Sequence, residues 1–312
     1  FGLKRVIAAN YAVYALAGTA PFYLHDLRLM ILSRFLLGLV AAGAVTGSII
    51  IINARMGGDR RAAWLGYYNA VAQLGSVVLN PVGGMLAEVS WHWSFLLYGV
   101  AAPFALLAAV ALDGKRPQPV QQAAGAEPSL VSWFPLRFVA LGVFLGIVIY
   151  IPAVYLPFRL HEMGMTSPAL ISFVLTGDII AGAIAAMLYG QARRYLSEYQ
   201  AFSISVALAG LGLLITAIAP NYPVVIFGAV IFGIGVAWFQ PNLMIVVAGR
   251  VAPDQQGRAA GLVKSSVYLG SPVAVFLTEP VARSFGAPGA LLTAVTISFA
   301  LFLVALPKLK RH

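Results

Sequence analysis

The feature that most constrains this chain is a succession of uninterrupted apolar blocks, each about 20 residues long, the length a helix needs to cross a hydrocarbon core of roughly 30 Å. Lipid offers no partner to a bare N–H or C=O, so a spanning segment is either a helix or a strand of a closed barrel. Barrel strands alternate apolar and polar residues, and these blocks do not. The chain therefore reads as an all-α polytopic membrane protein. Its composition agrees, with 61% hydrophobic residues, 10% charged residues and a mean hydropathy of +0.89, where soluble domains carry about 25% charged residues. The lack of cysteine excludes disulfides, iron–sulfur clusters and thiolate metal sites.

Ten spans are expected, at Val6 to Leu24, Leu29 to Asn53, Ala62 to Ala87, Ser94 to Leu112, Phe134 to Phe158, Pro168 to Ala192, Ala201 to Ile218, Pro223 to Val247, Ala259 to Pro280 and Pro288 to Leu306. They form a first half of four helices (1–112) and a second of six (134–312), joined by a flexible linker (113–133) rich in Pro, Gln, Ala and Gly. Basic residues sort by side. Lys4, Arg5, Arg55, Arg60, Arg61, Lys115, Arg116, Arg193, Arg194, Arg250, Arg258, Lys308, Lys310 and Arg311 fall on one side, and only Arg28, Arg159 and Arg283 on the other. Fourteen against three is a positive-inside signal that puts both chain ends and the linker in the cytoplasm, and a plasma membrane is expected. The net charge of +10 thus reports topology, and no nucleic-acid partner is implied.

Sliding the chain by 195 residues pairs Gly38 with Gly233, Arg55 with Arg250, Asp59 with Asp254, Gly66 with Gly261, and Leu74-Gly75-Ser76 with Leu269-Gly270-Ser271. Spans 2 and 3 thereby repeat as spans 8 and 9. The shift carries a cytoplasmic loop onto a cytoplasmic loop, which marks a parallel repeat. Spans 1 to 4 match spans 7 to 10, and spans 5 and 6 have no partner. The simplest account is two helices missing from the front.

Four short motifs, with this repeat, resemble the major facilitator superfamily, and the drug/proton antiporter branch in particular. Phe1-Gly2-Leu3-Lys4-Arg5 looks like the tail of the basic loop after the family's second helix. Arg34 with Gly38 is similar to the Arg-x-x-x-Gly of its fourth. Gly66, Gly75, Pro81, Gly83 and Gly84 resemble the antiporter glycine-proline signature, with Leu79 in place of one glycine and the proline one position late. Trp91-His92-Trp93-Ser94-Phe95 resembles the aromatic corner before the sixth helix, while Gly190-Gln-Ala-Arg-Arg-Tyr, the second basic loop, lacks the family's acid. The resemblance implies a bundle with ten of the family's twelve helices, in two pseudo-symmetric halves. It also implies a role for Arg34 in proton coupling and for the glycines and Pro81 in helix packing and sliding.

Charges inside a bilayer are costly and need a reason. Asp178 lies about ten residues into span 6, so at 1.5 Å per residue it is roughly 15 Å deep. Desolvation disfavours a carboxylate there, so proton occupancy would follow which side water reaches it from. A structural partner for a neighbouring cation or hydroxyl is the competing reading. Arg34 and Lys264 could each snorkel instead of acting in transport. Asn69, Gln73, Ser76 and Asn80 fall on one face of span 3 at i, i+4, i+7 and i+11. The shift carries the first three onto Lys264, Tyr268 and Ser271, which suggests a substrate lining shared by the halves; interhelical hydrogen bonding is the alternative. Trp238-Phe239-Gln240-Pro241-Asn242 sets a proline inside span 8, freeing the Ala237 carbonyl, with aromatics and amides suited to an amphipathic ligand. Tyr150, Pro152, Tyr155 and Pro157 suggest a gate or an aromatic belt.

Enzyme signatures are lacking: His161-Glu162 has no second histidine for a metalloprotease motif, and no P-loop is present. The expected function is proton-coupled efflux of hydrophobic or amphipathic small molecules by a monomer in the lipid bilayer, with no cofactor and no metal. Alternatives are a proton-coupled solute importer and a non-transporting membrane protein of the same fold.

Overall fold

A computed structural model of the protein describes residues 3–56, 58–111, 136–249 and 256–309; the expected linker lies outside them. The chain divides into two compact units, Phe1–Ala124 and Gly125–His312. Every regular element among the described residues is helical.

The first unit contains α1 (Leu3–Tyr23), α2 (Leu27–Arg55), α3 (Gly58–Val89), a 3-10 helix (Trp91–Val100) and α4 (Ala101–Ala111). Asp26 begins α2 by accepting from the backbone N–H of Arg28 and Leu29, which satisfies donors the first turn leaves orphaned. α1 packs on α2 and on the 3-10 and α4 segment. Gly18 makes that approach possible, because a Cβ there would collide with the Tyr98 side chain. Ser94 ties the start of the 3-10 helix to α3 by donating to the Gly83 carbonyl at 2.8 Å.

The second unit contains α5 (Leu136–Glu162), α6 (Pro168–Ala192), α7 (Glu198–Ile218), α8 (Tyr222–Val236), α9 (Phe239–Ala248) and α10 (Gln256–Leu309). Ser167 caps α6 with Pro168 in the first turn, Ser197 and Gln200 form a capping box on α7, and Asn221 caps α8. The core is built by α5, α7, α9 and α10 around Leu145, Val148, Ile151, Leu213, Phe239 and Leu291. Glycines admit its closest crossings. Gly146 of α5 meets Gly270 of α10, and Gly212 and Gly228 bring α7 and α8 together. At one end of α5, Arg159 donates to the Ala219 carbonyl at 2.8 Å, and Glu162 accepts from the Ala287 N–H at 2.9 Å.

The 195-residue repeat reappears in the helices themselves. Leu3–Tyr23 and Glu198–Ile218 share both ends under that shift, and Leu27 and Tyr222 start equivalent helices behind equivalent caps, Asp26 and Asn221. Among the described residues eight stretches are long and apolar enough to cross a membrane, two fewer than the ten spans expected. One reason is α1, whose apolar run is diluted by Asn10, Thr19, Pro21 and its tyrosines and which is not among them. The other is Ala259–Leu303, a 45-residue stretch that joins expected spans 9 and 10. It is broken at Gly286, whose φ of 66° only glycine adopts at little cost. Span 4 opens as a 3-10 helix, not an α-helix, and span 8 divides into α8 and α9.

Candidate functional site

Arg34 does not snorkel. Pro21 lies inside α1 and has no N–H, so the carbonyl of Ala17, four residues earlier, loses its helical donor. The Arg34 guanidinium of α2 takes that place, its Nη2 donating to the Ala17 and Gly18 carbonyls at 2.8 Å each. The same group stands 5.1 Å from the Phe95 ring centroid and 5.2 Å from that of Tyr98. A 3-10 helix has three residues per turn, which brings Phe95 and Tyr98 onto one face. Such cation–π contacts contribute about 0.5 to 2 kcal/mol each as water is excluded. Among the described residues no carboxylate pairs with Arg34.

Asp178 is the eleventh residue of the 25 in α6, midway along it. It sits where α6 crosses α8 at backbone distance, since a Cβ on Gly233 would strike the Asp178 main chain and one on Gly182 would come within 3.0 Å of the Gly233 carbonyl oxygen. The carboxylate oxygen Oδ1 of Asp178 is buried and has no hydrogen-bond partner among the described residues. A buried polar atom without a partner costs on the order of 1 to 3 kcal/mol, more if charged.

The break between α8 and α9 falls at Ala237 and Trp238, one turn before Pro241, where the freed carbonyl was expected. Polar groups around it are taken up by the unit itself. The Trp238 Nε1 donates to the Ala185 carbonyl of α6 at 2.8 Å. Asn242, 1% exposed, accepts from the Tyr189 hydroxyl at 2.9 Å and donates to the Glu198 carbonyl at 3.1 Å. Phe239 is also 1% exposed and lies in the core. The reading of Phe239 and Asn242 as ligand-facing gives way to one in which they brace the break. The Gln240 side chain lies outside the described residues. Tyr155 is likewise no belt residue, being buried with its hydroxyl 3.1 Å from that of Thr278.

The polar stripe on α3 is open. Gln73 and Asn80 are exposed, Ser76 donates back to the Ala72 carbonyl at 3.1 Å, and the Asn69 side chain is outside the described residues. Lys264 and Tyr268 of α10 are exposed too. Asn80 and Gly83 line a cavity of about 510 Å³ in the first unit. Of the expected packing glycines, Gly84 is buried and Gly83 meets Leu97 at 3.4 Å. A Cβ at Gly38 or Gly75 would meet nothing within 4 Å among the described residues. No close crossing there depends on the absence of their side chains. Pro81 is buried within α3, and Gly66 lies in its first half.

A family model described as the Major Facilitator Superfamily matches residues 1–167 and again residues 138–312. The chain belongs to the major facilitator superfamily. This facilitator is 25% identical over 273 residues to the multidrug resistance protein 1 of Bacillus subtilis, covering 84% of the chain and 69% of that relative. It is 23% identical over 278 residues to the quinolone resistance protein NorA of Staphylococcus aureus, covering 86% and 71%. Among solved structures, that of the nucleoside transporter NupG (D323A mutant) superposes with a TM-score of 0.77 at 14% identity, covering 98% of the chain and 83% of the other. The facilitator is a multi-pass integral membrane protein built to move small molecules.

Its sequence marked Asp178 by charge and depth, and Arg34 by charge and by its spacing to Gly38. It did not mark Pro21, Phe95, Tyr98 or Tyr189 as their partners or as braces, though the proline four residues after Ala17 was a signal for the first.

Proposed function

We propose that this facilitator exports hydrophobic or amphipathic small molecules across the plasma membrane in exchange for protons, as a monomer working by alternating access, with Asp178 as the proton-carrying group. The observation that carries the reading is the buried Oδ1 of Asp178, without a hydrogen-bond partner among the described residues, halfway along α6. Holding a charge there is costly, so we tie release of its proton to the arrival of water and thus to a change of access. The similarity to a multidrug resistance protein and a quinolone resistance protein supports the substrate class and the outward direction.

Proton exchange is read directly by placing the protein in liposomes carrying an internal pH dye, loading them with a quinolone and making the outside acidic. Antiport makes quinolone movement and proton movement opposite in direction and mutually dependent. Quinolone flux that leaves the internal pH untouched contradicts it. Gln73 and Asn69 are the positions whose side chains would tune substrate choice, from their shared face on α3.

A further inference from the structure

The turn that follows α5 is closed by two methionines. Gly164, between them, has a φ of 96°, where a side chain would be strained. Its N–H donates to the His161 carbonyl at 2.9 Å, and the Met165 N–H reaches back to the Leu160 carbonyl at 3.0 Å. This pair of bonds is the Schellman ending of a helix, which an apolar contact between the residue after the glycine and the last turn completes. Met165 is that residue. It packs, with Met163, on a small core that holds Leu156 and Leu160 of α5, Val174 of α6, and Val225 and Ala229 of α8.

Three further bonds gather at the same place. Arg159 donates to the Ala219 carbonyl just past α7, and Glu162 accepts from the Ala287 N–H just past the break in α10. The Tyr222 hydroxyl, at the start of α8, donates to the Met163 carbonyl at 2.9 Å. The two thioethers therefore sit where the end of α5 is tied to α7, α8 and α10.

The chain has no cysteine, so its seven methionines are the sulfur it offers to an oxidant. Met30, Met85, Met187 and Met244 lie inside stretches long and apolar enough to cross a membrane. Met56 follows α2 in the other unit. Met163 and Met165 lie between two such stretches, Phe138–Glu162 and Pro168–Ala192, and each is partly exposed. Water reaches this turn, whereas the spans lie in lipid.

We propose that Met163 and Met165 form a reversible oxidation site that sets how firmly the end of α5 is held. The sulfur takes the oxygen of hypochlorous acid: the thioether loses two electrons and becomes a sulfoxide, while the chlorine gains them and leaves as chloride with release of a proton. An apolar side chain is thereby made polar on an apolar core, where a polar group without a partner is costly. Met165 then leaves Leu160, the Schellman ending opens, and the ties from α5 to α7, α8 and α10 loosen. Methionine sulfoxide reductases return the thioether. The site needs neither Asp178 nor a substrate, so it stands or falls apart from the proton reading.

Graded hypochlorite treatment tests it, on the full chain in nanodiscs of dimyristoyl phosphatidylcholine, whose saturated chains do not consume the oxidant. Peptide mass spectrometry should find oxygen on Met163 and Met165 before Met85 or Met187, which are exposed on spans. Hydrogen exchange in residues 156–167 should then quicken about tenfold, and methionine sulfoxide reductases should reverse it. The double variant Met163→Leu, Met165→Leu keeps apolar side chains of similar volume. It should lose the response to hypochlorite while its exchange before treatment stays as in the unaltered protein. Met165→Gln should show the quickened exchange with no oxidant at all. Oxygen on Met85 or Met187 first, unchanged exchange once Met163 and Met165 are oxidised, or a response that survives in the double variant each overturns the proposal.

Discussion

A Cβ added at Gly38 would meet nothing within 4 Å among the described residues, whereas one added at Gly233, its counterpart under the 195-residue shift, would run into the Asp178 backbone. Gly75 and Gly270 differ in the same way: the first is open, and the second lies against Gly146 of α5. The helices around them follow suit. Of the span Leu27–Val45 only 6% is buried, against 39% of Tyr222–Val247. The repeat has kept where these helices start, with the cap and the glycine, while packing depends on neighbours. α8 lies between α6 and α7, and α5 lies along α10. At Gly233 and Gly270 the pressing backbone belongs to α6 and α5, whereas among the described residues nothing stands within 4 Å of a Cβ at Gly38 or Gly75.

The largest expected effect separates those glycines. Gly233→Ala and Gly270→Ala force backbone apart and should each lower stability by about 1 to 3 kcal/mol or more. Gly38→Ala and Gly75→Ala should raise it by up to about 1 kcal/mol, as alanine does in an open helix. Thermal unfolding followed by tryptophan fluorescence decides, and equal shifts in all four variants would break the comparison.

The bracing of the second unit comes next. Asn242→Leu strands the Tyr189 hydroxyl and removes one donor from the Glu198 carbonyl, and should cost about 1 to 3 kcal/mol, with Tyr189→Phe costing less, near 1 kcal/mol. The same melts read this, and a neutral Asn242→Leu would return that residue to a ligand role.

A smaller effect sharpens the account of the first unit. Pro21→Ala gives the Ala17 carbonyl a helical donor again, so removing the Arg34 charge should be less harmful in that background. A double-mutant cycle with Arg34→Gln should show about 0.5 to 1.5 kcal/mol of coupling, and additivity would mean that the proline does not set the arginine's place. Smallest for stability are Gln73→Leu and Asn69→Leu. These should leave the melt unchanged and alter the order of preferred substrates in an efflux panel, and an unaltered order would reduce the stripe to packing.

Much of this was legible in the sequence because membrane helices are written locally. Runs of apolar residues closed by Asp26, Ser167, Ser197 and Asn221 define helix starts, and Pro241 locates a break four residues before itself. Burial in a crossing is not local. Nothing near Gly233 distinguishes it from Gly38, and only the α6 backbone does so. The site divides in the same way. Asp178 is conspicuous as an acid in an apolar run, but that its Oδ1 lacks a partner depends on the helices around α6. Arg34 is conspicuous too, and its partners are set by how α1 folds back along α2. Asn242 looked ligand-facing because amides beside aromatics suit a ligand, and Tyr189, 53 residues away, is what claims it.

The most direct measurement is quinolone transport by Asp178→Asn in liposomes, with and without an imposed pH gradient. The account predicts that gradient-driven accumulation disappears while quinolone binding and gradient-free exchange persist, because asparagine fixes the neutral state. Accumulation equal to that of the unaltered protein would contradict it.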